Sequence, residues 1–71
     1  MNLLAKKIRE ERKNKAMTLN EFGLKLGITG AMVRKLEQGK NLGNKSVKAL
    51  SKYFKITIKE VYDLYESNEQ V

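Results

Sequence analysis

At 71 residues, with no Cys and no His, the chain has length for one small core and no second, catalytic domain. The missing thiols and imidazoles exclude disulfides, zinc fingers and Ser-His-Asp or Cys-His machinery, so no metal, no cofactor and no enzyme activity is expected. A net charge of +7, from 15 Lys+Arg against 8 Asp+Glu, draws polyanions: nucleic acid or an anionic membrane surface. The surplus is uneven, because residues 1 to 55 carry 14 basic and 4 acidic side chains while residues 56 to 71 carry one and four. The absence of Cys fits a reducing cytoplasm. The apolar opening Leu3-Leu4-Ala5, closed by Lys6 and Lys7, has the length of neither a signal-peptide core nor a membrane span, and the chain reads as soluble and cytoplasmic.

The apolar residues recur at helical spacing, which predicts five short helices and an all-α fold. The first runs from about Leu3 to Lys13, with Leu4, Ala5, Ile8 and Arg12 on one stripe, and Asn14 to Met17 form a turn. Thr18 followed by Glu21 is a capping-box signature: hydroxyl and carboxylate each satisfy an amide at the start of a helix. The second helix places Leu19, Phe22, Gly23 and Leu26 at i, i+3, i+4 and i+7, and Gly27 supplies a left-handed stop. Thr29 then caps a third helix that runs to Gln38 and stops at Gly39. Two helices joined by a short glycine-containing turn make a helix-turn-helix. After a polar loop, Lys40 to Asn44, a fourth helix carries Val47, Leu50, Ser51 and Phe54 on one side. Thr57 and Glu60 make a second capping box, and the fifth helix turns Ile58, Val61, Tyr62 and Tyr65 inward. No linker or repeat interrupts this order. Residues 1 to 66 read as one helix-turn-helix domain and Ser67 to Val71 as a short frayed tail.

From Ile8 to about Leu64 the chain resembles the Cro/phage-repressor (Xre-type) helix-turn-helix family. The resemblance is carried by Met17-Thr18-Leu19-Asn20-Glu21-Phe22-Gly23-Leu24-Lys25-Leu26-Gly27-Ile28-Thr29, then Val33, then Leu36-Glu37-Gln38-Gly39. These stand where the family has L-T-Q-x-x-L-A-x-x-x-G-I-S, an aliphatic residue, and E-x-G. The resemblance implies a five-helix, phage-repressor-like fold that binds operator DNA as a two-fold dimer. It also implies an ion pair between Arg12, at the end of the first helix, and Glu37, at the end of the recognition helix. Such a pair fixes orientation more than it adds stability, since desolvation offsets the attraction. There are three departures. Leu19 replaces the glutamine that reaches the DNA backbone, so that contact is expected to be missing. Gly43 stands where the family has a proline before the fourth helix. Gly23 replaces a small alanine, which is expected to be benign.

Stepping about 100° per residue from Thr29 sets Val33 and Leu36 toward the core and Ala31, Arg34, Lys35 and Gln38 on the opposite arc. A helix fits the major groove with its first residues at base edges, so Gly30, Ala31, Arg34 and Lys35 are the base-contact candidates. Arg34 and Lys35 are suited to guanine O6 and N7, and Ala31 to a thymine methyl. The small side chains at 30 and 31 carry little hydrogen-bond information, which leaves room for readout by DNA shape. Gln38, Lys40, Asn41, Asn44 and Lys45 are the phosphate candidates, from the loop and the amides that open the fourth helix. Tyr53, Phe54, Tyr62 and Tyr65 have the spacing of core residues rather than of a base-stacking platform, with Tyr62, Tyr65 or Val61 available as a dimer seam. No sensor site for a small ligand is recognisable.

These observations point to a sequence-specific transcriptional regulator, a repressor in kind, that binds double-stranded DNA at an inverted repeat as a homodimer and makes no use of a membrane. The competing reading keeps the fold but makes it a protein-interaction or antitoxin-like module with weak, mostly backbone-directed DNA binding. A membrane-surface protein would need an exposed apolar face beside the charges, whereas these stripes are matched by partner helices.

Overall fold

The computed structural model describes residues 2–68 as five helices: α1 (Leu3–Asn14), α2 (Leu19–Leu26), α3 (Gly30–Glu37), α4 (Asn44–Phe54) and α5 (Ile58–Glu66). Both capping boxes form. Thr18 Oγ1 accepts from the Glu21 amide at 3.1 Å and the Glu21 carboxylate accepts from the Thr18 amide at 2.8 Å. The Thr57 and Glu60 pair repeats this at 3.0 Å in both directions. Thr29 caps α3 through the Met32 amide, and Asn2, one residue before the first helix, caps α1 through the Ala5 amide at 2.7 Å.

The stops of α2 and α3 share one geometry. Gly27 and Gly39 adopt φ of 75° and 79°, and the next amide reaches back five residues, Ile28 to the Gly23 carbonyl and Lys40 to the Lys35 carbonyl, both at 2.9 Å. This Schellman closure satisfies orphan carbonyls and turns the chain sharply. α4 ends likewise, with Ile56 reaching Ser51 at 3.1 Å, although Lys55 must take the left-handed conformation at φ 57° without being glycine.

Leu4, Ile8, Phe22, Leu26, Ile28, Val33, Leu36, Val47, Leu50 and Val61 form the core, with contributions from every helix. Phe22 lies at its centre, with Tyr53 edge-on at 5.2 Å between ring centroids. The tightest pairing is α2 on α3, α1 covers α3 and α5, and α4 bridges α2 and α5. The helix-turn-helix is therefore gripped from behind and leaves its outer face open.

Around α5 and the tail the structure corrects the sequence reading in three places. Ile58 and Tyr62, expected inward, are 45% and 38% exposed, because α5 seats Val61 in the core with Leu64 and Tyr65 against it. Val61, fully buried, is unavailable as a seam. Ser67 and Asn68, expected to fray, are tied to the other end of the chain: the Leu3 amide donates to the Ser67 carbonyl at 2.8 Å and Asn68 pairs with Asn2 in an isolated bridge. The expectation for residues 69–71 lies outside the described residues.

Candidate nucleic-acid interface

The surface of the motif follows from how closely α2 and α3 approach. A Cβ on Gly23 would stand 2.6 Å from the Ile28 carbonyl oxygen, 3.0 Å from the Thr29 carbonyl carbon and 3.1 Å from the Gly30 nitrogen. All three are backbone atoms, so the expectation that Gly23 is a benign replacement of alanine is corrected: the backbone there would have to shift to admit even a methyl group. Gly30 makes the second close approach. Its missing Cβ would lie 2.0 Å from Asn20 Oδ1, so the Asn20 side chain occupies that space.

The result is a groove lined by Thr18, Leu19, Asn20, Gly30, Ala31 and Arg34, with no acidic side chain among them. Ala31, Arg34 and Lys35 are exposed on the outer arc of α3, and Val33 and Leu36 are buried beneath them. Gly30, expected at a base edge as one of the first residues of the helix, is not on that arc. It is buried at the junction, and Asn20, which the sequence reading passed over, takes its place at the surface. The signal for Asn20 was the small residue at position 30, which marks where a neighbouring side chain crosses. Leu19 is half-buried against the core and lines the groove without offering a donor, and Met32 is likewise half-buried.

Beyond α3 the chain is polar and open. Gln38, Lys40, Asn41, Asn44 and Lys45 are all exposed, and Asn41 takes a left-handed φ of 58° to form the loop. α4 starts at Gly43 with no side-chain cap, whereas Asn2, Thr18, Thr29 and Thr57 cap the other four helices. Its first amides are thus left to an external acceptor, on a helix end that carries partial positive charge. Asn2 lies against Gly39, with its amide nitrogen 3.1 Å from where a Cβ would stand, so the start of α1 abuts this loop.

Arg12 and Glu37 make a two-pronged ion pair, Nε to Oε2 at 2.6 Å and Nη2 to Oε1 at 3.1 Å, while Nη1 donates to the Met17 carbonyl at 3.2 Å. The fork fixes the end of α3 relative to α1 and to the turn before α2. The hydrogen bond to Glu37 holds the Arg12 pKa above its ordinary value against the opposing effect of burial. Between Thr29 and Lys55 the sequence has seven basic residues and a single acid, Glu37, which this pair neutralises. The field around α3 and the loop is consequently positive.

A profile of the helix-turn-helix family matches residues 8–61, which spans α2, the turn, α3 and α4 and reaches into α1 and α5. The chain belongs to that family. Its place is among the Cro/C1-type, Xre-like members, and its function is of the DNA-binding, transcription-regulating kind. Comparison with curated proteins and with solved structures returns no match. Among the described residues, no helix is long and apolar enough to cross a membrane.

Proposed function

We propose that the protein is a cytoplasmic, sequence-specific repressor that sets α3 in the major groove of an inverted-repeat operator and binds there as a homodimer. The observation that carries this reading is the groove of Asn20, Ala31 and Arg34, free of carboxylates and held in place by the Arg12–Glu37 fork. Arg34 and Lys35 donate to guanine edges, Ala31 packs on a thymine methyl, and Asn20 adds a donor and an acceptor beside them. Gln38, Lys40, Asn41, Asn44, Lys45 and the uncapped amides of α4 hold the phosphate backbone, which sets register without specifying sequence. Gly30 contributes by making room for Asn20.

The test is selection from a randomised duplex pool, followed by titration of the best sequence and of scrambled DNA across salt concentrations. An inverted repeat with half-sites about one helical turn apart is expected, bound at least about a thousandfold tighter than scrambled DNA. Arg34→Ala should relax preference at one base position at a cost of about 1–3 kcal/mol. Lys45→Ala should weaken all sequences alike and reduce the salt slope by about one. Recovery of no motif, with equal affinities that merely fall with salt, would replace this reading with the protein-interaction module.

A further inference from the structure

Of the large hydrophobic side chains among the described residues, Leu24 stands furthest into solvent, at 82% exposed. A lone exposed leucine on a helix needs no explanation, but Leu24 is not alone. It lines a groove between α2 and α4 whose apolar lining is completed by Leu26, Ala49 and Tyr53 and whose charges are Lys25 and Lys52, both exposed. No carboxylate lines this groove, and neither lysine makes an ion pair with another described residue. The Tyr53 hydroxyl is already engaged, donating to Glu11 at 2.8 Å, so Tyr53 offers the groove its ring. Glu11 is itself held by Lys15 at 2.8 Å, so it does not offset the two free ammonium groups.

We infer that this groove is a docking site for an acidic amphipathic helix of a partner protein. The inference does not depend on whether α3 reads bases. Charge complementarity selects the sign of the partner: two unpaired lysines beside an apolar lining call for carboxylates that flank apolar side chains. The fold selects its shape. The described residues form no sheet, so there is no strand edge for an extended peptide to join, and one aromatic ring is too few for a proline-rich ligand. A helix remains, with apolar side chains one turn apart seated on Leu24, Ala49 and Tyr53 and acidic ones reaching Lys25 and Lys52. A DNA strand would satisfy the lysines but leave Leu24 in water. A membrane surface takes up apolar groups that protrude, whereas Ala49 and Tyr53 are recessed and half-buried.

This groove shares no lining residue with the one formed by Thr18, Asn20, Ala31 and Arg34. The partner helix can therefore sit on α2 and α4 while α3 lies in the major groove.

Selection of the full chain against a displayed library of helical peptides with randomised surface positions tests the site. The enriched peptides are expected to carry apolar residues one turn apart flanked by Asp or Glu. Leu24→Ser, and separately the pair Lys25→Glu with Lys52→Glu, are each expected to weaken their binding at least about tenfold, while Arg34→Ala and Lys45→Ala leave it unchanged. Exchanging the peptide's carboxylates for lysines is expected to restore binding to the charge-reversed pair to within about threefold, a rescue that a misfolded variant does not give. If no acidic, apolar class is enriched, the inference fails. It fails equally if the enriched peptides keep their affinity for Leu24→Ser, and loss with Arg34→Ala and Lys45→Ala instead would mean that they mimic DNA on α3. Phosphatidylserine vesicles that bind in a Leu24-dependent way, with no peptide enriched, would assign the groove to a membrane surface.

Discussion

Gly23→Ala separates two opposed effects. On helix propensity alone, alanine in place of glycine inside α2 should stabilise the protein by about 1 kcal/mol. The tertiary structure predicts the reverse. The added Cβ would sit 2.6 Å from the Ile28 carbonyl oxygen, so α3 would have to retreat by about 0.8 Å to reach an ordinary contact of 3.4 Å. The obstacle is backbone, pinned by the Ile28 amide donating to Gly23 at 2.9 Å and by the Thr29 cap, so it cannot rotate aside as a side chain would. Overpacking of this kind costs about 1–3 kcal/mol. Because the contact is far inside van der Waals range, the upper half of that interval applies, and a net loss of about 1–2 kcal/mol remains after the propensity gain. For a domain of this size the thermal midpoint should fall by roughly 5 to 15 °C in far-UV circular dichroism. Gly30→Ala is the control: its Cβ meets chiefly the movable Asn20 side chain, and the nearest backbone atom, the Asn20 nitrogen, is at 3.1 Å rather than 2.6 Å, so the loss should be smaller, though DNA selectivity should shift as Asn20 is displaced. A Gly23→Ala variant that melts higher than the parent would show that the α2–α3 turn is loose and that the close approach is not what positions α3.

Glu37→Ala leaves Arg12 with only the Met17 carbonyl and should cost about 1–3 kcal/mol in chemical denaturation, less than for a fully buried pair because the two side chains are 18% and 11% exposed. Ala16→Gly, at φ 53°, should raise stability by about 0.5–1 kcal/mol by relieving a left-handed alanine, read as a higher urea midpoint. Stability should be nearly flat across neutral pH, since the chain has no His. On the acid side Glu11, lowered by hydrogen bonds from Lys15 and Tyr53, and Glu21, lowered by the Thr18 amide, titrate below the usual 4.5 when folded, so stability present above that pH is lost as pH falls through it. On the alkaline side Tyr53, raised by burial and by its bond to Glu11, and Lys15, raised by its bond to Glu11, hold their protons beyond 10.0 and 10.5, so their contribution is present below those values and lost as pH rises past them. A thermal midpoint that changed steadily between pH 6 and 9 would contradict these assignments.

Local chemistry settled most of the architecture. The two capping boxes and the glycines at 27 and 39 determine where helices start and stop, because they act through hydrogen bonds that span three to five residues and need no partner from elsewhere in the chain. The stripe of α3 was legible for the same reason, since one turn of helix fixes which side chains share a face. The family resemblance added Arg12 and Glu37, which stand 25 residues apart in the sequence and meet only in the folded chain.

What needed tertiary structure lies where two elements meet. Helical spacing allows Ile58, Val61, Tyr62 and Tyr65 on one broad stripe of α5, but the angle at which that helix docks on α1 and α4 chose Val61 and left Ile58 and Tyr62 outside. The sequence marks Gly23 and Gly30 as small; only the distance between α2 and α3 makes one of them costly to replace and hands the other's surface to Asn20. Sequence alone thus determined the helices, their order and the positive charge near α3, because those depend on residue type and on neighbours along the chain. The makeup of the groove and the exposed face of α5 were decided by packing between helices, whose relative placement is set by the whole core at once.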